Sequence, residues 1–324
     1  GQVVIGHQQH GRWALRRAET FGFHLATLDV RQDGRLHRDV LRDLLADPEW
    51  GERQPADRVA RLLEAGPRPP AAPTEDGERT LEVFRAIREC RGTYGEAAVG
   101  PFIISMARDA DDVLTVLALG RWAGLVEGDG RVPLDVAPLV ETVDDLERAP
   151  KAVRALFAAP WYREHLAARG MAQTVMVGYS DSSKDGGVTA SRWALHRAQT
   201  ELAAVAEEAG VELTVFRGRG GTGGRGGGKT HRAVLAAPPG SVTGRLRVTE
   251  QGEVIDAKYG LRGIAFRTLE RAAGAVALAT GLPRREEPRL AAWTSMLETL
   301  ATASRSAYRA LVYEHPKFVP YFRG

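Results

Sequence analysis

Six short apolar runs, each ending in polar side chains and most followed by a helical pattern, constrain this chain more than any other feature. They are HLATLDVRQ (24–32), PFIISMA (101–107), DVAPLVET (135–142), TVMVGYSDS (174–182), ELTVFRGRG (212–220) and GRLRVTEQGEVI (244–255). The helical patterns between them include 109–124, 144–170 and 191–210. Repeated strand-then-helix order predicts parallel β/α units. The runs close on Asp29 and Arg31, Ser105, Glu141, Ser180 and Asp181, Arg217 and Arg219, and Glu250 and Gln251. In a (β/α)8 barrel, the loops at the C-terminal strand ends form the active site. The expected fold is therefore α/β: a TIM-like barrel of which about six strands are present, two more belonging to a segment outside this chain. Residues 1–10 are read as an N-terminal extension, 11–260 as barrel strands with helices and active-site loops, and 261–324 as a C-terminal helical region. In that last region two long helices, spanning Ile264 to Tyr313, break near Pro283 and Pro288. The Pro-rich stretch 66–73 is expected to be a flexible loop.

Composition narrows the function classes. Forty-four basic residues face 41 acidic ones, a net charge of only +3, and the basic residues are spread along the chain, except in one stretch, instead of gathering in a nucleic-acid-binding patch. The single cysteine, Cys90, excludes an internal disulfide and fits a reducing, cytoplasmic setting. Its helical neighbourhood predicts a small buried or half-buried filler. No apolar run reaches the length of a membrane span.

Three strand ends carry candidate chemistry. In GYSDSSKDGG (178–187), Asp181 leaves a strand and Lys184 follows three residues later. A carboxylate there suits Mg²⁺ or Mn²⁺ and the ammonium suits an anion, although Asp181 could equally cap the next helix. In LVETVDDLERAP (139–150), Thr142 and Asp145 resemble a capping box, which leaves Glu141 as a second metal-ligand candidate or an ordinary loop acid. Arg31 can fork onto a phosphate or carboxylate, or pair with Asp29.

The fourth constellation, FRGRGGTGGRGGGKTH (216–231), holds eight glycines and four cations. An apolar β-branched run precedes it and a helical start follows, which favours an ordered anion-binding loop over a disordered RNA-binding tract. It is expected not to be a Walker A loop, because GRGGGKT, counted from Gly224, is too short for GxxxxGK[ST].

In this order, FGFHLATLDVRQ, FIISMARDADDVL, LVETVDDLERAP, VMVGYSDSSKDGG, FRGRGGTGGRGGG, RVTEQGEVI and HPKFVPYFR closely resemble the phosphoenolpyruvate carboxylase family over roughly residues 11–324. The resemblance implies a mostly helical protein around the barrel. It also implies carboxylation of phosphoenolpyruvate by bicarbonate to oxaloacetate and phosphate, with Mg²⁺ or Mn²⁺. Carried over residue by residue, Glu141 and Asp181 are the metal ligands. Arg31, Lys184, Arg217 and Arg219 are catalytic, and Arg31, Arg219 and Gln251 bind substrate. Gly218, Gly220, Gly221 and Arg225 form the mobile, regulatory glycine loop. The implied partners are phosphoenolpyruvate, bicarbonate, an aspartate or malate effector and further copies in a homo-oligomer.

Departures from the family pattern set the alternatives. Arg217 stands where the family motif FHGRGG has histidine, and Gly223 where it has an apolar residue. The family's TAHPTE motif and far C-terminal tail are not in the chain, so little activity is expected of the chain alone. A diverged homologue that keeps the metal and phosphate site for another reaction or for ligand binding is the second reading. An RNA-binding module built on the arginine-glycine loop is the third.

Overall fold

The computed structural model of the protein describes residues 2–22, 24, 26–282 and 287–324. The elements begin with α1 (Gln2–Phe21), β1 (Leu28–Asp33), α2 (Gly34–Leu44), α3 (Pro55–Glu64), α4 (Glu75–Tyr94), β2 (Val99–Ser105) and α5 (Ala110–Trp122). They continue with β3 (Val136–Val140), α6 (Val143–Ala158), α7 (Pro160–Ala168), β4 (Ala172–Gly178), α8 (Tyr179–Gly186) and α9 (Val188–Ala209). They end with β5 (Glu212–Gly218), α10 (Thr230–Leu235), β6 (Arg247–Val248), α11 (Gly252–Tyr259), α12 (Arg262–Gly281), α13 (Leu290–Arg309) and α14 (Phe318–Arg323).

All six expected strands form, and they join in chain order as one curled parallel sheet, β1-β2-β3-β4-β5-β6. Sequential order with helical crossovers is the connectivity of a β/α barrel wall. β4 pairs in parallel with β5 from Ala172↔Glu212 to Gly178↔Gly218, and β6 adds Phe216↔Arg247 and Arg217↔Val248. Every residue of β3 is buried, as expected for a parallel strand covered on both faces.

The chain divides into two compact units. In the first (1–103 and 114–136), Phe84 stacks on Phe102 at 5.1 Å between centroids, and the His37 ring lies 5.7 Å from Phe102. Leu41, Leu44 and Trp50 are fully buried in the same unit. In the second (104–113 and 137–324), α6 and α9 pack together and bury Leu146, Val153, Leu156, Leu195, Leu202 and Val205. The helix α9 stops at Gly210, whose left-handed backbone (φ 65°) no β-carbon-bearing residue adopts as easily.

Several expectations are corrected. The Pro-rich loop is fastened: Ala71 N–H donates to the Leu44 carbonyl at 3.0 Å, and Trp122 Nε1–H donates to the Gly66 carbonyl at 3.0 Å. Cys90 is exposed, because the buried stripe of α4 ends at Ile87 and its last turn lies beyond that core. The long helix expected over 144–170 breaks at Ala159, where Pro160 starts α7 in the first-turn position that proline tolerates. The strand expected over 244–255 shrinks to two residues, and Gly252 begins α11. The break between α12 and α13 is where it was expected; Pro288 lies in a turn there, and Pro283 is outside the described residues. Among the described residues, no helix is long and apolar enough to cross a membrane.

Candidate active site

The chemistry at the end of β3 starts with a helix cap. Thr142 Oγ accepts the Asp145 N–H at 3.0 Å, and Asp145 Oδ2 accepts the Thr142 N–H at 3.1 Å. This complete capping box starts α6 without Glu141, the residue before it. Glu141 is 6% exposed, and its Oε2 accepts the Met106 N–H at 2.8 Å. Met106 has a left-handed backbone (φ 57°), which costs a residue with a β-carbon about 1 kcal/mol. That strain accompanies an amide aimed at the carboxylate.

The end of β4 lies alongside. Val140 pairs with Val177, which puts Gly178 abreast of Glu141. A β-carbon at Gly178 would come within 3.3 Å of Glu141 Cα and 3.4 Å of its Cγ, so glycine leaves the carboxylate side chain its space. The chain then turns directly into α8, and Asp181 sits in the first turn of this helix instead of on an extended strand end. Ser182 explains the difference. It is fully buried, and its hydroxyl donates to the Gly178 carbonyl at 2.6 Å and meets Ser191 Oγ at 2.7 Å. These bonds wind SDSSKDG into a helix that Gly187 (φ 81°) ends. Asp181 does not cap it, since no side chain caps α8. Its carboxylate is half exposed and lies 3.5 Å from Lys184 Nζ, in an exposed ion pair.

Sequence reasoning missed Asp185. Its Oδ2 accepts the Val143 N–H at 3.0 Å, and its Oδ1 accepts from Arg309 Nη1 at 3.1 Å. Tyr313 O–H donates to the Lys184 carbonyl at 2.8 Å, and Arg305 bonds Asp144 at 2.8 Å. Side chains from α13 and the turn after it thus hold the helix that carries Asp181 and Lys184. The acid's place inside SSKDGG was the available signal.

The glycine loop after β5 is ordered. Gly220 N–H donates to the Arg225 carbonyl at 2.7 Å, Gly227 N–H to Thr222 at 2.7 Å and Gly226 N–H to Gly223 at 3.2 Å. Arg219 Nε–H donates to the Gly226 carbonyl at 2.6 Å, and Arg192 Nη2–H, from α9, to the Gly223 carbonyl at 2.7 Å. Arg225 reaches Gln251 Oε1 at 3.4 Å, which places Gln251 against the loop. Counted from Gly223, GGRGGGKT does satisfy GxxxxGK[ST], contrary to the sequence expectation. The structure still does not make it a phosphate cradle of that kind, because the loop's own carbonyls take these amides.

Arg217 is 3% exposed. Its Nη2 donates to the Ser241 carbonyl at 3.0 Å and to Ser241 Oγ at 3.2 Å, and its Nη1 to the Val215 carbonyl at 3.3 Å. Burial, with Arg219 nearby, pulls its guanidinium below the usual arginine value, and burial does the same at Arg219. Arg31 lies within β1 in the first unit, exposed and bonded; it is described there by itself.

Among the described residues, no three His, Cys, Asp or Glu side chains converge. Glu141, just after β3, and Asp181, in the first turn of α8 after β4, are carboxylates of the kind that Mg²⁺ and Mn²⁺ take, one or two at a time, with water and substrate oxygens in the remaining positions.

Comparison with known proteins identifies the family. The family described as phosphoenolpyruvate carboxylase matches residues 7–324. A phosphoenolpyruvate carboxylase of Xanthomonas euvesicatoria pv. vesicatoria (strain 85-10) is 52% identical over 315 residues, covering 96% of this chain and 35% of the relative. One of Burkholderia mallei (strain SAVP1) is 42% identical over 326 residues, covering 95% of this chain and 33% of the relative. The chain spans about a third of the length of the curated relatives it matches. It belongs to the phosphoenolpyruvate carboxylase family.

Proposed function

We propose that the complete protein carboxylates phosphoenolpyruvate with bicarbonate to give oxaloacetate and phosphate, and that this chain supplies its metal-binding and anion-binding strand ends. The observation that carries the reading is the two carboxylates that follow adjacent strands, Glu141 after β3, with its Oε2 accepting the Met106 N–H, and Asp181 in the first turn of α8 after β4. Glu141 and Asp181 would hold the divalent ion, which when bound supplies positive charge against the enolate and phosphoryl oxygens. Lys184 Nζ, 3.5 Å from Asp181, is the ammonium that would bind an anion such as bicarbonate. Arg219, anchored through Nε, offers its remaining N–H groups to phosphate or carboxylate oxygens. Arg31 takes the same kind of anion from β1, and Gln251, holding Arg225, sets the loop beside the substrate. A bicarbonate oxygen attacks phosphorus as the bond to the enol oxygen breaks, giving carboxyphosphate and the enolate of pyruvate. Carboxyphosphate releases carbon dioxide and phosphate, and the enolate carbon adds to the carbon dioxide. The same reading carries a cytoplasmic homo-oligomer, with aspartate or malate acting through Arg225 on the glycine loop.

The test is oxaloacetate formation by the full-length gene product from phosphoenolpyruvate, bicarbonate and Mg²⁺, read by coupled NADH oxidation. Turnover that disappears in Asp181→Ala supports the reading; no turnover by the unaltered full-length protein overturns it.

Arg217 favours a second reading, a relative that binds phosphate and metal without carboxylating. Arginine stays protonated and cannot relay a proton as imidazole can. Phosphoenolpyruvate binding without turnover, with turnover gained in Arg217→His, would establish that reading.

A further inference from the structure

The last turn of α8, the short helix that carries Asp181 and Lys184, is finished by side chains from a distant part of the chain. The final carbonyls of a helix have no partner within it. Here Tyr313 O–H donates to the Lys184 carbonyl at 2.8 Å, and Arg309 Nη1–H donates to the Asp185 carbonyl at 3.4 Å. The same Nη1–H group's nitrogen lies 3.1 Å from Asp185 Oδ1. The Arg309 guanidinium sits 4.9 Å from the Tyr313 ring centroid, so each side chain orients the other. Glycine permits the close approach. A β-carbon at Gly187 would lie 3.0 Å from the Tyr308 ring, and one at Gly186 would lie 2.8 Å from Val143 Cγ2.

Stability alone does not account for this cluster. Among the described residues, Ala301 is the only buried one of α13, while Leu290, Met296 and Leu300 face solvent. The Arg309 side chain is 39% exposed, and ion pairs at such exposure contribute little to folding. What the cluster fixes is the rotation of α8. Asp185 stands four residues after Asp181, so the two lie on one side of the helix. Asp185 Oδ2 accepts the Val143 N–H at 3.0 Å, and Val143 is two residues beyond Glu141. One carboxylate thus ties the helix of Asp181 to the backbone that follows Glu141, and Arg309 occupies its other oxygen. The helix α13 is itself fastened to α9, where its Glu298 accepts from Trp193 Nε1–H and from Arg197.

We propose that Asp185, Arg309 and Tyr313 are positioning residues for the metal carboxylates. Asp185 sets α8 against the Val143 amide, and Arg309 and Tyr313 lock that setting from the end of α13 and the turn after it. The inference rests on the metal reading above and deepens it: affinity for the ion depends on a helix that holds neither carboxylate. Charge and geometry predict opposite signs here. Removing a cation one helical turn from Asp181 would by Coulomb attraction alone tighten the hold on a divalent cation. Loss of positioning weakens it.

The test is Mn²⁺ binding by the full-length gene product, read as free Mn²⁺ by electron paramagnetic resonance. Hydrogen exchange of amides 181–187 is followed in parallel in metal-free protein. Arg309→Met is expected to weaken Mn²⁺ binding about tenfold, as removal of groups behind a metal ligand commonly does, and to speed exchange in α8. Arg309→Lys keeps the charge and a donor and should recover part of the loss. Tyr313→Phe removes one neutral bond at an exposed position and should weaken binding about threefold. Arg267→Met breaks an exposed ion pair with Glu270 in α12 (2.6 Å) and should change neither readout. Equal or tighter Mn²⁺ binding by Arg309→Met would overturn the positioning role, as would faster exchange in α8 with unchanged affinity. No Mn²⁺ binding by the unaltered protein is a different result, which would overturn the metal reading itself and this inference with it.

Discussion

Gly226→Ala puts the order of the glycine loop to the sharpest test. Gly226 is buried, with φ 84° and ψ 9°, and a β-carbon there would lie 2.6 Å from Tyr179 Cδ1 and 3.0 Å from its Cγ. The backbone term costs alanine about 1 kcal/mol. The steric term resembles overpacking, about 1–3 kcal/mol, because the Tyr179 ring also faces the Arg192 guanidinium and has little room to retreat. Together they favour local opening by about 2–4 kcal/mol, which is roughly a 30- to 900-fold larger open population. Trypsin reads this directly at Arg225, since cleavage tracks the open population when reclosing is fast. Gly223→Ala is the control. Nothing lies within 4 Å of its β-carbon position and its φ is not positive, so its cleavage should stay near that of the unaltered chain or slow slightly. Equal cleavage of the two variants would refute the packed loop and return the stretch to a disordered arginine-glycine tract.

Three further outcomes follow from the same structure. Thr142→Ala breaks the capping box and should lower stability by about 1 kcal/mol, read as a shift of the urea midpoint at constant slope. His37 is buried and its pKa is lowered to about 4, chiefly by desolvation and then by Arg38; the unfolded chain therefore takes up the proton first as pH falls. Its contribution is full above about pH 6.5, is lost between there and about pH 4, and amounts to about 3 kcal/mol; His37→Leu should flatten that part of the stability profile in acid titrations. Asp181→Ala should weaken Mn²⁺ binding at least tenfold, because the ion loses one of two protein carboxylates, and unchanged affinity by calorimetry would remove Asp181 from the metal site.

Much of the fold was legible because parallel strands buried on both faces read as unbroken apolar runs, and such runs survive without any knowledge of their neighbours. IISM, APLV, TVMV and LTVF are runs of this kind. The capping box at Thr142 and Asp145 was legible too, since it is closed within four residues. Legibility failed where a nonlocal contact chose between local options. Ser182 bonding Ser191 made a helix of an expected strand end. The partners of Trp122 and Ala71 fastened a loop whose prolines suggested freedom. The long reach of α4 past its core put Cys90 in solvent.

By itself the sequence determined the β/α alternation, the six strands and their polar ends, because side-chain polarity along a strand is a local property. Membership of the carboxylase family was also written there, in motifs whose spelling needs no coordinates. Only the tertiary structure decided what those polar ends meet. It aimed the Met106 amide at Glu141, set Asp181 in a helix against Lys184, and seated Arg217 on Ser241. It also gathered Arg192, Lys229 and Arg232, from two helices and a loop, around one cavity without a carboxylate. Charge is additive along a sequence and sums here to almost nothing, whereas a local field depends on which charges the fold brings together.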